Sequence, residues 1–439
     1  MIEGEPGADV YGMDVARYGD FAANRAYLKA KTGEFYARRF VLTYPNEQLP
    51  AGRPLKSAPA HAAMAADGAQ FGALYGLEYP LYFAPKGFRE TPTLKRSNAF
   101  GIVAREVTAT RAGVGLLETT AFARYEVSGA GARAWLDRLL ACTLPGPGRV
   151  RLAPMLSPSG RLMGDLTLSC WREDLYWLMG SYYLQSWHMR WFRDHLPESG
   201  VSLRNISDEV TGFSLSGPRA RDVLAQLTAA DLSNGALPFM ACREMEVGLA
   251  NARVGRLSVA GELGYEINVP ASEQLALYRT LIEAGRDHGL VQIGYNALNS
   301  LRMEKSFGIW SREFTWAYTA GMSGLDRFVA FDKGDFIGRE AALKERDKPS
   351  QRKLVTLEIA AEDADASGFE PVWMGERRIG FVTSGAYGHS TGKSLAMAYL
   401  DRDVSASGTA VEVHVIGLRR RATVLAGPAH DPAGARMRG

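Results

Sequence analysis

The sequence predicts a multidomain α+β protein whose final segment, from about residue 349, is an all-β unit of barrel or sandwich type. Three observations predict it. The chain has 439 residues, more than one ordinary core serves, so roughly two to four domains are expected. Between about 97 and 345, short apolar strands alternate with amphipathic helical stretches. From about 350 the helical period disappears, and short β-rich runs are separated by Gly, Asp and Ser turns.

The elements follow in chain order. Residues 1–90 are dense in aromatics, Arg and Pro. A helix is expected from Asp20 to Arg38, with Phe21, Tyr27, Leu28, Phe35 and Tyr36 on one broad face. The run from Tyr44-Pro45-Asn46 to Arg53-Pro54 reads as loop. Nothing in this segment closes a core alone, so it reads as a piece that packs on something else or meets a partner. In the second unit, 91–348, Tyr125-Glu126-Val127 reads as a strand. Ala132, Trp135, Leu136, Leu139 and Leu140 then form one helical face. Pro218 opens a helix that buries Ala220, Val223, Leu224 and Leu227. Ser272 is expected to cap the next helix, with Leu277, Tyr278, Leu281 and Ile282 inward and Gly285 as its stop. In the third unit, 349–439, strands are expected at Leu354–Ile359, Ile379–Thr383, Ser394–Leu400 and Val411–Val415. The charged stretch from Glu345 to Arg352 marks the boundary before it.

Composition excludes several classes of function. Hydrophobic residues at 46% and charged residues at 23% give a globular balance. A net charge of +3 provides no concentrated basic face for nucleic acid. No apolar run approaches the ~18 residues that cross a bilayer, so no membrane association is expected. Met1-Ile2-Glu3-Gly4-Glu5 lacks the basic start of a secretory signal, so the expected location is the cytoplasm. Cys142, Cys170 and Cys242 are odd in number and far apart, which fits buried reduced thiols and neither a disulfide framework nor a zinc site. His188 has no second ligand at metal spacing and is expected to be a packed histidine. No metal is expected.

Gly129-Ala130-Gly131-Ala132-Arg133-Ala134 matches a dinucleotide-binding pattern. About 20 residues on, where an acid would hold a ribose, stands Pro147-Gly148-Arg149-Val150-Arg151-Leu152. The glycines are therefore read as a tight strand-to-helix turn.

Four segments carry a resemblance: Ser159-Gly160-Arg161-Leu162-Met163-Gly164-Asp165-Leu166-Thr167, Gly261-Glu262-Leu263-Gly264-Tyr265-Glu266-Ile267, Ala297 to Phe307, and Asp335 to Ala341 followed by Val382-Thr383-Ser384-Gly385. In order and spacing they resemble the aminomethyltransferase (T-protein) family of the glycine cleavage system. Leu301-Arg302-Met303-Glu304-Lys305-Ser306-Phe307 is more similar to the C-terminal half of dimethylglycine and sarcosine dehydrogenases. Tyr11-Gly12-Met13-Asp14 and Tyr36-Ala37-Arg38-Arg39-Phe40 resemble the tail of the flavin half of those enzymes, and His430 to Gly439 resembles the family's C-terminus. The resemblance implies a multidomain aminomethyltransferase-like folate-binding fold with a C-terminal β-barrel. In it, 1–90 is a remnant of the flavin-oxidoreductase half, 91–348 binds tetrahydrofolate and 349–439 is the barrel. The family's flavin-binding Rossmann domain and flavin-anchoring histidine have no counterpart in this sequence, so no FAD site within the chain is implied. A flavoprotein subunit is then an expected partner, beside a stand-alone or a truncated transferase.

The resemblance also implies the site. Asp165 would face the reactive nitrogens of tetrahydrofolate, where a carboxylate orients the amine, stabilises positive charge and relays a proton. Glu266, preferred over Glu262, would grip the N–H and amino group of the pterin edge in a charge-assisted pair. For Glu262 two readings stand, a second choice for the pterin contact or an exposed turn residue between glycines. Leu166, Thr167, Ile267 and Asn268 flank the two acids and complete the expected cofactor contacts. Val259 stands where relatives have a tyrosine, so the resemblance implies that a ring or hydroxyl contact is either lost or supplied elsewhere, with Tyr265 the candidate. Arg327 replaces another tyrosine and either meets folate, for instance its anionic glutamate tail, or is a surface arginine. Ala297-Leu298-Asn299 lacks the T-protein's arginine, which favours the dehydrogenase branch. Arg302 and Glu304 are expected in packing and ion pairing, and Trp310, Phe314 and Trp316 in the core. Lys333-Gly334-Asp335 carries no cysteine, which counts against the related iron–sulfur assembly factors. The expected reaction is one-carbon transfer to tetrahydrofolate, yielding methylenetetrahydrofolate. Its small-molecule methyl donor is an iminium or formaldehyde from an N-methyl amine of the sarcosine or dimethylglycine type. The alternatives are a non-catalytic folate-binding subunit of a split dehydrogenase, or a direct demethylase of another methyl donor.

Overall fold

A computed structural model describes residues 8–439. Its strands run in chain order β1 (Ala69–Leu74), β2 (Leu77–Phe83), β3 (Val114–Glu118), β4 (Phe122–Ser128), β5 (Arg149–Leu156), β6 (Leu162–Arg172) and β7 (Leu175–Ser181). There follow β8 (Ser202–Asn205), β9 (Val210–Ser216), β10 (Cys242–Val247), β11 (Ala250–Gly255), β12 (Gly264–Pro270) and β13 (Leu290–Ile293). The last six are β14 (Arg352–Ile359), β15 (Pro371–Met374), β16 (Arg377–Gly388), β17 (Lys393–Asp401), β18 (Ala410–Val415) and β19 (Leu418–Val424). They assemble into a hairpin β1-β2, a sheet β5-β6-β7-β4-β8, a sheet β10-β11-β12-β9-β3-β13, and a closed barrel β14-β17-β16-β15-β18-β19.

The five-stranded sheet is covered on one face by the helix Ala132–Leu139, whose Ala132, Trp135, Leu136 and Leu139 are buried as the spacing predicts. Gly129 makes the turn into it. Its φ is +114°, and a Cβ there would lie 2.5 Å from the Gly200 carbonyl, so only glycine fits. The six-stranded sheet buries Leu215, Tyr265, Ile267 and Val269 against the helices Ala220–Ala225 and Gln274–Gly285. Ala60, Met64 and Ala69 belong to this same core, so its packing begins upstream of the expected start at 91.

Several local expectations are corrected. The first helix does not begin at Asp20. A 3₁₀ turn Asp20–Ala23 comes first, and Asn24 then caps Arg25–Ala37 by accepting from Ala26 N at 3.0 Å and Tyr27 N at 3.1 Å. Its apolar face is not covered: Phe35 is 64% and Tyr36 63% exposed. Ser272 caps nothing, because Ala271–Glu273 is a 3₁₀ turn and Glu273 precedes the helix. Beyond Gly285 the chain continues as 3₁₀ through His288, and Gly289, at φ +66°, reverses it.

The barrel contains the four expected strands. Val355, Leu357 and Ile359 alternate inward against Ala396, Ala398 and Leu400. The two unexpected strands, β15 and β19, complete the closure. On β19 only Ala422 and Val424 are buried, and three consecutive arginines precede them, so its period-two signal is too short to read. All three cysteines are free and buried, and burial pushes the Cys142 thiol up to about 11. No helix among the described residues is long and apolar enough to cross a membrane.

Candidate functional site

The site is set by strand register. Arg124 on β4 pairs with Met179 on β7, which pairs with Thr167 on β6, so these three lie in one row on one face. Side chains alternate along a strand, so Asp165, two residues before Thr167, shares that face. Phe122, two residues before Arg124, lies at the same level. On the six-stranded sheet, Glu266 and Asn268 share one face of β12, and Tyr265, Ile267 and Val269 take the other. The two polar faces meet: Arg124 Nε donates to Asn268 Oδ1 at 2.9 Å. Farther along, Arg253 reaches Glu126 at 3.5 Å and lies 4.4 Å over the Trp177 ring. On the opposite side of the Arg124–Asn268 bond, Phe122 sits 6.3 Å from the ring of Tyr295, whose hydroxyl feels the charge of Glu266. Asp165 and Glu266 thus lie on the two sheet faces that the Arg124–Asn268 bond brings together.

Neither acid has a side-chain hydrogen-bond partner among the described residues. No side chain among the described residues bonds to Asp165. Burial pushes its carboxyl up to about 7, opposed by a bond from its own backbone N–H. Glu266 is 9% exposed and likewise accepts no hydrogen bond; burial raises it to about 7 against the pull of Arg124. Arg124 is fully buried and immobilised. Besides Asn268 it donates to the carbonyls of Phe122 and Thr119, each at 3.0 Å, and to Thr119 Oγ1 at 3.1 Å. Nearby, Glu118 Oε1 accepts from Thr120 N at 2.8 Å and Gln274 Nε2 at 2.9 Å, while Glu118 Oε2 and the Tyr295 hydroxyl are sealed and have no partner among the described residues. Buried polar atoms are nearly always paired, so a group of them left open marks a place for a polar ligand or ordered water.

Of the flanking residues expected in the site, Thr167 and Asn268 lie on its face. Val259 packs in the cluster that includes Tyr295. Three side chains do not fit. Leu166 is fully buried in the helix-covered core of its sheet, because it alternates with Asp165. Tyr265 and Ile267 alternate with Glu266 and are fully buried on the far face. The Tyr265 hydroxyl accepts from Arg221 Nε at 3.1 Å, so its ring cannot replace the tyrosine missing at 259. Arg327 is exposed on a 3₁₀ turn, 4.8 Å over the ring of its neighbour Phe328.

Glu262 is not an exposed turn residue. It is 1% exposed, 2.7 Å from Arg111 Nη1 and 2.7 Å from Arg436 Nε. Burial opposes its charge, but bonds from His430, Arg436 and Arg111 outweigh burial and hold its carboxyl below the usual range. Arg302 and Glu304 are ion-paired as expected, to Glu313 at 3.2 Å and to Arg111 at 2.7 Å. His188 is a packed histidine. Its Nδ1 is 3.0 Å from the Tyr125 hydroxyl, and burial lowers its pKa to about 3. Trp310, Phe314 and Trp316 are buried core residues. No cluster among the described residues has the ligands for a metal ion. A surface recess of about 510 Å³ lies beside Ser159, Gly160 and Lys344, and none of the candidate residues lines it.

The residues that sequence reasoning missed are Arg124, Glu118 and Tyr295. A signal for the first exists: Arg124 and Glu126 alternate with Ala123, Tyr125 and Val127, which gives the strand one charged face.

Residues 60–333 match the GCVT N-terminal domain, residues 352–431 the glycine cleavage T-protein C-terminal barrel domain, and residues 3–57 the FAD dependent oxidoreductase central domain. The chain is 32% identical over 433 residues to mitochondrial dimethylglycine dehydrogenase of Rattus norvegicus, covering 98% of this chain and 50% of that protein. It is 31% identical over 331 residues to an aminomethyltransferase of Halalkalibacterium halodurans, covering 75% of this chain and 90% of that protein. The crystal structure of glycine cleavage system aminomethyltransferase T from Bartonella henselae matches with a TM-score of 0.75 at 24% identity, over 86% of this chain and 99% of that one, a likeness of fold. The chain spans about half the length of the dimethylglycine dehydrogenases it matches.

Proposed function

From the premise that the chain belongs to the glycine cleavage T-protein (aminomethyltransferase) family, we propose that it is a tetrahydrofolate-dependent enzyme of one-carbon transfer. Its donor is an iminium or formaldehyde derived from an N-methyl amine of the sarcosine or dimethylglycine type, and its product is methylenetetrahydrofolate. The observation that supports this most is the pair of unpartnered acids, Asp165 and Glu266, on facing sheets with both carboxyls raised to about 7.

Tetrahydrofolate supplies the nucleophilic nitrogens. Glu266 binds the pterin edge: its two oxygens accept from an adjacent N–H and amino group, which favours the ionised carboxylate. Arg124 supports that ionisation from a position fixed by Thr119, Phe122 and Asn268. Asp165 orients the attacking amine and takes the proton that the nitrogen loses as its bond to carbon forms. A carboxyl with a pKa near the working pH is suited to accept and release that proton. Thr167 and Asn268 line the space between the two acids.

A second element of this reading is a flavoprotein partner, favoured by the segment that matches an FAD dependent oxidoreductase domain. Phe35, Tyr36 and Phe40 of that segment are 64%, 63% and 95% exposed, an apolar face that such a domain would cover. The core reading is tested by titrating the protein with (6S)-tetrahydrofolate, then measuring how far it accelerates methylenetetrahydrofolate formation from formaldehyde above the spontaneous rate. Saturable binding and acceleration are expected. Failure of tetrahydrofolate to bind overturns the proposal.

A further inference from the structure

Strand β9 reads Val210-Thr211-Gly212-Phe213-Ser214-Leu215-Ser216. Phe213 and Leu215 enter the helix-covered core, so Ser214 and Ser216 take the opposite face, the one that carries Glu266. In the pairing of β9 with β12, Ser214 stands directly opposite Glu266, and Gly255 of β11 stands on the other side of Glu266. Residues paired in this way hold their Cβ atoms about 5 Å apart, within reach of a hydroxyl and a glutamate carboxyl. Since Gly255 adds no side chain, Ser214 is the one side chain that flanks Glu266 along this row.

Ser214 ends a ladder of three buried hydroxyls. Its Oγ lies 3.2 Å from Ser216 Oγ, which lies 3.2 Å from Ser258 Oγ. The far end is anchored: Ala260 N donates to Ser258 Oγ at 3.2 Å, and Arg111 Nη1 donates to the Ala260 carbonyl at 2.9 Å. Three hydroxyls share two internal bonds, so one end proton is left over. If the ladder runs toward Ser258, that proton is stranded in a buried turn whose neighbouring N–H is another donor. If it runs from Ser258 through Ser216 to Ser214, the proton is left beside an acid. Only the second direction gives every donor an acceptor.

We propose that Ser214 is a positioning residue, whose hydroxyl donates to the Glu266 carboxylate as that group ionises to bind the pterin edge. This rests on the folate reading above. It adds a fixed donor on the strand beside Glu266, held in orientation by Ser216 and Ser258.

The test measures dissociation constants of (6S)-tetrahydrofolate at pH 6 and pH 8.5 for the wild type, Ser214→Ala and Ser214→Thr. Without the donor, ionising Glu266 costs more, and that extra cost weakens binding only where free Glu266 is still protonated. Ser214→Ala is expected to bind about tenfold more weakly at pH 6 and within about twofold of the wild type at pH 8.5. Ser214→Thr keeps the hydroxyl and should restore most of the affinity at pH 6. The other titratable groups that face Glu266 are Arg124 from β4 and Tyr295 from the helix Tyr295–Glu304, both of which also feel Glu118 of β3. Asp165 lies on the facing sheet. These groups are present in wild type and variant alike, so the ratio of the two affinities isolates Glu266. Should Ser214→Ala fail to fold, Ser216→Ala carries the test: it frees the Ser214 hydroxyl to rotate and should show a smaller deficit, about threefold, at pH 6 only. A deficit equal at both pH values marks a merely structural role and overturns the inference. Unchanged affinity of Ser214→Ala at pH 6 also overturns it. Failure of the wild type to bind tetrahydrofolate at either pH is a separate outcome, which sinks the folate reading and this inference with it.

Discussion

Arg124 Nε donates to Asn268 Oδ1 across 2.9 Å, and through this bond the five-stranded sheet is tied to the six-stranded one. The guanidinium is fully buried, with burial opposing its charge and Glu266 and Glu118 supporting it. It holds the two halves of the site in register while keeping a positive charge near the acid proposed to bind pterin. Replacing Arg124 with Met removes the charge and leaves the Thr119 and Phe122 carbonyls and Asn268 short of a donor. Urea unfolding should show a loss of about 3–5 kcal/mol, the range for breaking a buried charged network. A loss below 1 kcal/mol would mean that the sheets are held together without it.

The two raised carboxyls make stability depend on pH in a definite direction. Unfolded, Asp and Glu titrate near 4; folded, burial moves Asp165 and Glu266 to about 7. Between those values the folded state holds more protons than the unfolded one. Ionisation therefore costs stability as pH rises from about 4 to 7, and the cost is complete above the folded pKa. Asp165→Asn and Glu266→Gln remove it. Each should raise the Tm of the unliganded protein at pH 8 by about 2 °C or more and leave it nearly unchanged at pH 4. Melting curves at the two pH values decide this, and a variant that melts below the wild type at pH 8 would contradict it.

The same two substitutions should separate binding from turnover. Glu266→Gln keeps the shape but loses one of two charge-assisted acceptors, so tetrahydrofolate affinity should drop about 10- to 100-fold. Asp165→Asn should bind tetrahydrofolate within about threefold of wild type and lose about 10²-fold or more in kcat, the usual span of a proton-transfer group. Equal effects of both variants on affinity and rate would rule out the division of labour.

How far the sequence carried this site follows from what each residue's role depends on. Asp165 and Glu266 sit in segments with a recognisable local pattern. The alternation that divides Asp165 from Leu166, and Glu266 from Tyr265 and Ile267, is also legible once β6 and β12 are treated as strands with one polar face. That period sends consecutive residues to opposite faces, so Asp165 and Leu166, or Glu266 and Ile267, cannot both be contacts. Arg124, Glu118 and Tyr295 lie 142, 148 and 29 residues from Glu266 in the chain, and tertiary packing rather than a local pattern brings them near the site. Four of the barrel's six strands are legible in the sequence; the other two are not, because β15 has four residues and β19 buries only two. Glu262 stands between glycines, which locally suggests a turn, and its partner Arg436 lies far along the chain, so its burial is not legible in the sequence.

That last pair supports an asymmetric prediction. Arg438 O accepts from Arg256 Nη2 at 2.7 Å, and Arg436 reaches Glu262, so the segment 435–439 braces the turn from which β12 and Glu266 continue. The side chain of Arg436 is 40% exposed, so water can take over for its bond when Glu262 keeps Arg111. Arg436→Ala should therefore cost about 1 kcal/mol, near the value of a partly exposed charge pair. Glu262→Ala instead leaves the Arg111 guanidinium, 8% exposed, with only Glu304 as a charged partner. It should cost about 3–5 kcal/mol. The two unfolding free energies should differ by at least about 2 kcal/mol. Equal costs would place the energetic weight on the tail and not on the buried Arg111–Glu262 pair.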